Sequence, residues 1–487
     1  MESAIKNKAV KGMAWVGIEK FARQVIAFAL SIVMARLLTP RDYGVVGMLS
    51  IFMMISTQFI DSGFGAALIQ KKDRTEVDYA TVFYFNLAIA IFCYIVLFVA
   101  SPSIAAFYKM PILKDVCRIV ALGLPLGALC TIQRSRMTIM LNFKTQTIVT
   151  LVSLIVSGFL GVCLAYKGFG VWALVWQGLC SNIVSIVLLW SLSKWHPLLA
   201  FSVNSFKRFF SFGWKHLCSS LINCIYGEIY TLIVGKAFGA AEIGYYTRAK
   251  GYAYLPTNTI SDMVLRVNFP ILAQLQDDRE KLISAYGRML KMPMFLLIPV
   301  LFGMAVIATP LIKVMIGEKW LPCVPFLQVL CVGMVFVPLT RINLNLLYVK
   351  GRTDCVLRLE LIKNPIAFAI AIGTIPLGIF WMCVGKAFFD FVAFSLNCHY
   401  TKKLLGYGLW AQLKDVLPII LNSVIMAVIV MVVIRCVASP WLQLMIGVPV
   451  GVLSYACAAY LTQDESFKYA MSFLQSKMAK LKCSFQR

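Results

Sequence analysis

The side chains of this chain most able to do chemistry are ionisable groups that stand inside apolar stretches. Lys215, Arg341, Arg134 and Arg136 have no acid three or four positions away, so none is neutralised on its own helix face. A guanidinium offers a planar fork of donors that meets the oxygens of an oxyanion two at a time, and an ammonium acts as a mobile point charge. Both bind anions more strongly where water is scarce. The competing expectation is snorkelling, in which the apolar stem lets the charge reach an aqueous boundary, and Arg134 and Arg136 are the best placed to do so. Asp61 and Glu228 are acids without a basic neighbour at helical spacing. In a poorly solvated setting such an acid holds its proton to higher pH and can exchange it, which makes both ion-coupling candidates. Asp61 also has a plainer reading, because Asp-Ser-Gly ends one helix and caps another. Glu19 and Arg23, Asp262 and Arg266, and Lys386 and Asp390 lie four apart, and Glu360 and Lys363 three apart, so each pair shares a helix face and can neutralise itself. Lys20 leaves a surplus positive charge beside the first pair.

Other chemistries lack their residues. Both Gly-Lys pairs, Gly235-Lys236 and Gly385-Lys386, are followed by Ala, so the phosphate cradle of an ATPase is missing. There is no GxSxG elbow or HExxH pair, and His196, His216 and His399 are too scattered to ligate a metal together. Most of the fifteen Cys lie in apolar runs, where a thiol packs as a small hydrophobe. The expectation is a protein that is not an enzyme and uses no metal or cofactor.

The elements that must position these charges are membrane spans. Hydrophobic residues make up 60% of the chain, charged residues only 14%, and mean hydropathy is +0.81. About 20 apolar residues cross a hydrocarbon core, and the pattern predicts fourteen spans near 14–36, 44–69, 80–100, 116–133, 147–166, 169–192, 209–234, 250–270, 289–310, 323–348, 359–377, 379–398, 416–437 and 441–462. The first, seventh, eighth, tenth and eleventh carry ionisable residues that weaken the signal. With a cytoplasmic N-terminus, 27 Lys and Arg fall in inside segments and 10 in outside loops, which predicts that both termini are cytoplasmic. Much of the formal charge of +25 is then topological bias, not a nucleic-acid footprint. The longest gaps, near 193–208 and 271–288, leave no room for a catalytic domain. The basic N-terminus leads into a charged span without a small-residue cleavage site, so no secretory signal peptide is expected.

A duplication organises the spans. "IVMARLLTPRDYGVVGM" (32–48) and "LIVGKAFGAAEIGYYTRAK" (232–250) align with a shift of 200, matching Arg36 with Lys236, Asp42 with Glu242 and Gly44 with Gly244. "DSGFGAALIQKKD" (61–73) and "DMVLRVNFPILAQLQDD" (262–278) echo at nearly the same offset. Six helices per unit start both copies on the same side of the membrane, as in transporters built from parallel repeats. The expected lobes are 1–200 and 201–405, with two further helices and a basic cytoplasmic tail in 406–487.

"MARLLTPRDYGVVGM", "FIDSGFGAALIQKKD" and "FGAAEIGYYTRAK" resemble the polysaccharide transporter (oligosaccharide flippase) family of the multidrug, oligosaccharidyl-lipid and polysaccharide exporter superfamily, especially its colanic-acid-exporter-like branch of lipopolysaccharide biosynthesis proteins. The resemblance covers residues 1 to about 400. It implies an all-α integral membrane protein of the bacterial inner membrane with two six-helix lobes around a cationic cavity. The implied activity is alternating-access transfer of an undecaprenyl-diphosphate-linked oligosaccharide between leaflets, for O-antigen, capsule or exopolysaccharide. On that reading Lys215, Arg341, Arg134 and Arg136 are diphosphate-binding candidates, and a polysaccharide polymerase and a chain-length regulator are candidate partners. Alternatives are a cation-coupled multidrug exporter, favoured by an acid-lined pocket, and a lipid II flippase of the same fold. A membrane-embedded glycan polymerase or ligase, from the enzyme class, would need a large periplasmic loop.

Overall fold

A computed structural model describes residues 2–468, except 62, 72 and 276–277, together with 471–472. Side chains are described at all of these but 2–14, 16–18, 66, 70, 212, 215–216, 219, 223, 226, 262–270, 273 and 353. Among the described residues every regular element is a helix, as a chain in contact with lipid requires when its backbone groups must be satisfied within each segment.

Residues 1–244 form one compact unit and residues 245–487 a second. The first holds α1 (Glu2–Leu37), α2 (Pro40–Asp61), α3 (Phe64–Gln70), α4 (Glu76–Tyr108), α5 (Ile112–Ala121), α6 (Gly123–Ile139), α7 (Phe143–Tyr166), α8 (Val171–Ser193) and α9 (Val203–Phe238), and the start of α10 (Ala240–Gln274). Helix α7 packs on α1 and α8, and α2 on α9 and α4. Small residues on α7 allow the close approach, since a Cβ on Gly158 would stand 2.3 Å from Leu30 of α1.

The second unit holds the rest of α10, then α11 (Arg279–Val306), α12 (Ala308–Met315), a 3₁₀ turn (Glu318–Cys323), α13 (Val324–Met334), α14 (Phe336–Val349), α15 (Thr353–Thr374), α16 (Ile379–Leu405), α17 (Leu409–Arg435) and α18 (Pro440–Leu461). Helix α11 packs on α17 and α13, α16 on α13 and α15, and α17 on α18.

Eleven segments among the described residues are long and apolar enough to cross a membrane. The expected spans 14–36 and 359–377 fall on α1 and α15, which are not among them, and the expected span 250–270 on α10 runs into residues 262–270, whose side chains lie outside the described residues. Each of these helices carries several ionisable residues, for example Asp354, Arg358, Glu360 and Lys363 on α15, and these lower the mean hydropathy.

The duplicated register has a physical counterpart. Helices α1 and α9 both run for 36 residues, and α2 and α10 start at the matched positions Pro40 and Ala240. At α2 the turn is held by a capping box, with the Asp42 carboxylate accepting from the Thr39 N–H at 2.9 Å and the Asp42 N–H donating to Thr39 Oγ1 at 3.3 Å. The helix starts touch reciprocally within the first unit. A Cβ on Gly44 would lie 1.6 Å from the Ala240 carbonyl oxygen, and one on Gly244 would lie 2.0 Å from that of Pro40. Only glycine lets two backbones cross this closely.

Candidate functional site

Helices α4 and α6 with the α8–α9 connection build the best-defined cluster of charge and aromatic rings. Helix α4 opens on a capping box in which the Asp78 carboxylate accepts from the Thr75 N–H, and Lys71 donates to the same carboxylate. Two residues earlier, Glu76 accepts from Trp195 Nε1 at 2.7 Å and pairs with Arg136 Nη2 at 3.5 Å. The Arg136 guanidinium lies between two rings, 5.2 Å from the Tyr79 centroid and 5.1 Å from that of Trp195. Its Nε and Nη1 are buried without a hydrogen-bond partner, and the two ring faces take the place of one. Arg136, a sequence candidate for binding diphosphate, is therefore already engaged by Glu76, Tyr79 and Trp195. Arg134, two residues away on a different face of the same helix, is exposed.

The other candidates are not gathered into one cluster. Arg341, half-buried on α14, donates from Nη2 to Asn258 Oδ1 of α10 at 3.2 Å. Glu228 is half-buried on α9. Asp61 is the exposed last residue of α2, where the chain turns through Gly63 (φ 72°) into α3, whose N-cap takes no side-chain hydrogen bond. The side chains of Lys215, Asp262 and Arg266 lie outside the described residues.

Of the expected neutral pairs, Lys386 donates to Asp390 and Lys363 to Glu360 at 2.7 Å. Among the described residues no ion pair joins Glu19 and Arg23, although both lie on α1. Arg23 projects from an exposed face, so spacing alone does not bring the two charges together. Asp390 Oδ2 is buried without a partner, and a Cβ on Gly333 of α13 would stand 3.5 Å from it.

Several polar groups escaped sequence reasoning. Lys291 of α11 pairs at 3.1 Å with both Asp415 of α17 and Glu465. Buried amides and hydroxyls also tie helices of the second unit. The Tyr286 hydroxyl donates to Asn343, Asn397 Nδ2 donates to the Thr340 carbonyl at 3.1 Å, and Gln412 Nε2 donates to Thr401 Oγ1 at 3.1 Å. A polar side chain in an otherwise apolar helix was the available signal, since such a group must find a partner. At the start of α9, Phe206, Phe210 and Trp214 recur every four residues beside Lys207 and Ser211 and line an open recess of ≈ 380 Å³. Their spacing was legible in the sequence.

The arrangement can hold an anion at exposed basic residues and keep deeply placed charges neutral. No group of His, Cys, Asp or Glu suited to a metal occurs among the described residues.

Comparison with known proteins adds the family. The teichuronic acid biosynthesis protein TuaB of Bacillus subtilis is 28% identical over 354 residues, covering 72% of this chain and 73% of that protein. The succinoglycan biosynthesis transport protein ExoT of Rhizobium meliloti is 23% identical over 98% of both chains. Among solved structures, the lipid II flippase MurJ in an inward closed conformation superposes with a TM-score of 0.77 at 17% identity, covering 92% of this chain and 98% of that one, which fixes the fold. Residues 33–325 match the family described as polysaccharide biosynthesis protein, and the chain belongs to that family.

Proposed function

We propose that this multi-pass membrane protein is a flippase that moves an undecaprenyl-diphosphate-linked oligosaccharide unit from the cytoplasmic to the outer leaflet of the inner membrane. The observation that carries this reading is the family match on a chain built almost wholly of apolar helices. A glycan-pathway protein with its mass in the bilayer is suited to moving a lipid-linked intermediate. The transport role of the relative that aligns over 98% of the chain supports the reading, as does the flippase fold. The protein then has no catalytic centre of its own, and both termini are cytoplasmic.

Without a P-loop, directional flipping must draw on an ion gradient, the membrane potential or removal of product on the far side. A diphosphate is anionic, and an interior-negative potential of 100 mV is worth about 2.3 kcal/mol per elementary charge carried across. That favours outward movement before any ion is coupled. Glu228 and Asp61 are the coupling candidates, and Asp61, exposed at a helix end, is the weaker. Arg341 and Arg134 are the diphosphate candidates that the Glu76 cluster does not engage, and Lys215, whose side chain lies outside the described residues, remains a third.

The test is outward movement of labelled lipid-linked oligosaccharide by the purified protein in oriented vesicles, with imposed potentials and gradients. An interior-negative potential should speed transport without ATP. Rates indifferent to potential and gradients, or strictly dependent on ATP, overturn the reading.

A further inference from the structure

We infer that the recess on the first turns of α9 is a saccharide subsite, which takes the sugar residues next to the diphosphate of the translocated lipid. The inference rests on the flippase reading and locates one part of its binding path. Phe206, Phe210 and Trp214 form one stripe and Lys207 and Ser211 form the stripe beside it, and together they line the open recess of ≈ 380 Å³. Each four-residue step along a helix advances about 6 Å, close to the length of one pyranose ring, so successive rings stand at the spacing of successive sugars. Sugars present apolar C–H faces that stack on aromatic rings, and hydroxyls that hydrogen-bond at the rim.

The stripe is rigid at one end and open at the other. The Phe206 ring sits 5.1 Å from that of Phe85, 6.3 Å from that of Phe64 and 5.5 Å from that of Phe210. Phe64 is fully buried in the aromatic cluster that includes Tyr79, Phe83 and Trp195. The start of α9 is pinned to α4 by the Ser202 N–H, which donates to Thr81 Oγ1 at 3.0 Å. Phe210 and Trp214, by contrast, are each 46% exposed. Lys207, Ser211 and the Trp214 indole N–H make no hydrogen bond or ion pair among the described residues, so the recess offers a cation, a hydroxyl and an N–H as well as ring faces.

Charge and hydrogen-bonding groups select the occupant. Lys207 and Arg208 stand in the second turn of α9. Exposed Lys207 and Arg208 complement an anionic diphosphate there. A hydrocarbon tail would gain nothing from the ammonium, hydroxyl and indole N–H.

The test uses the full chain in nanodiscs and three probes: a short-chain polyprenyl diphosphate, the same molecule bearing a disaccharide, and a longer-chain polyprenyl diphosphate without sugar. Wild type should bind the sugar-bearing probe about ten-fold more tightly than its bare counterpart, the worth of one or two ring contacts. Trp214→Leu and Phe210→Leu should each remove most of that preference, and Trp214→Phe should keep most of it. Lys207→Gln should weaken the short-chain probes equally, with and without sugar. A sugar preference unchanged in both Leu variants overturns the subsite. So does a Leu-sensitive preference for chain length and not for sugar, which marks a tail site. Failure of the flippase reading is separate and shows in wild type, as no vesicle transport and no binding of any probe.

Discussion

Replacing Gly44 by Ala tests whether the reciprocal crossing of α2 and α10 holds these helix starts together. The new Cβ would lie 1.6 Å from the Ala240 carbonyl oxygen, and the obstacle is backbone, so no side-chain rotation relieves it. Ordinary contact needs about twice that separation, and overpacking of this kind costs about 1–3 kcal/mol. A mid-range cost of about 2 kcal/mol raises the opening constant of the two helix starts about thirty-fold. Gly244→Ala, with 2.0 Å to the Pro40 carbonyl oxygen, should act similarly. The double variant should cost clearly less than the sum, because parting the helices for one methyl makes room for the other. Hydrogen exchange of residues 38–48 and 238–248 in detergent-purified protein measures the effect. Protection unchanged in Gly44→Ala, or strictly additive losses in the double variant, would refute the reciprocal contact.

Asp390→Ala should strand the Lys386 ammonium in a buried site and cost about 3–5 kcal/mol, with Lys386→Met/Asp390→Leu recovering most of it; thermal unfolding and membrane yield report both. Arg136→Lys should behave as a disruptive change, because an ammonium cannot fill the slot between Tyr79 and Trp195, whereas Trp195→Phe should keep the stacking and lose only the bond to Glu76. Asp415→Asn should destabilise more than Glu465→Gln, because Asp415 is 25% exposed and Glu465 is 83% exposed, and added salt should narrow the second effect only. The bond from Lys281 holds the Asp278 carboxyl, the N-cap of α11, below its usual range. A depressed carboxyl stabilises above its unfolded pKa of about 3.9 and stops doing so as pH falls through the folded value. Wild type should therefore lose protection at residues 279–283, measured against the intrinsic exchange rate at each pH, as pH falls, and Asp278→Ala should show that loss already at pH 7.

Pairs on one helix were legible in the sequence and pairs between helices were not. Lys386 with Asp390 and Lys363 with Glu360 follow from helical spacing. Glu19 and Arg23 show the limit, since shared facing permits a pair without forming one. Arg136 could be read only as lacking a local acid, because Glu76 and Trp195 reach it from α4 and the α8–α9 connection, and Asn258 reaches Arg341 in the same way. Hydropathy also hides breaks, because apolar residues continue across them. The expected span 44–69 covers α2, a turn and α3, and the expected span 289–310 covers parts of α11 and α12. In the first, the Asp-Ser-Gly step at 61–63 marked the break, and Gly63 takes up the positive φ there.

A transporter must release what it binds, which bears on where its charges sit. A full positive charge deep in a low-dielectric path would hold a diphosphate tightly and slow its departure. Lys386 and Lys363 are closed off by their own helix neighbours. Arg136 is held by Glu76 and two rings. Exposed basic groups such as Lys207, Arg208 and Arg134 remain, where water competes and binding is weak. Ring faces at Phe210 and Trp214 add contact without adding charge. On the proposed flippase reading, weak capture at the exposed basic groups of the first unit lets the headgroup leave again, and the membrane potential acts on the substrate's own charge.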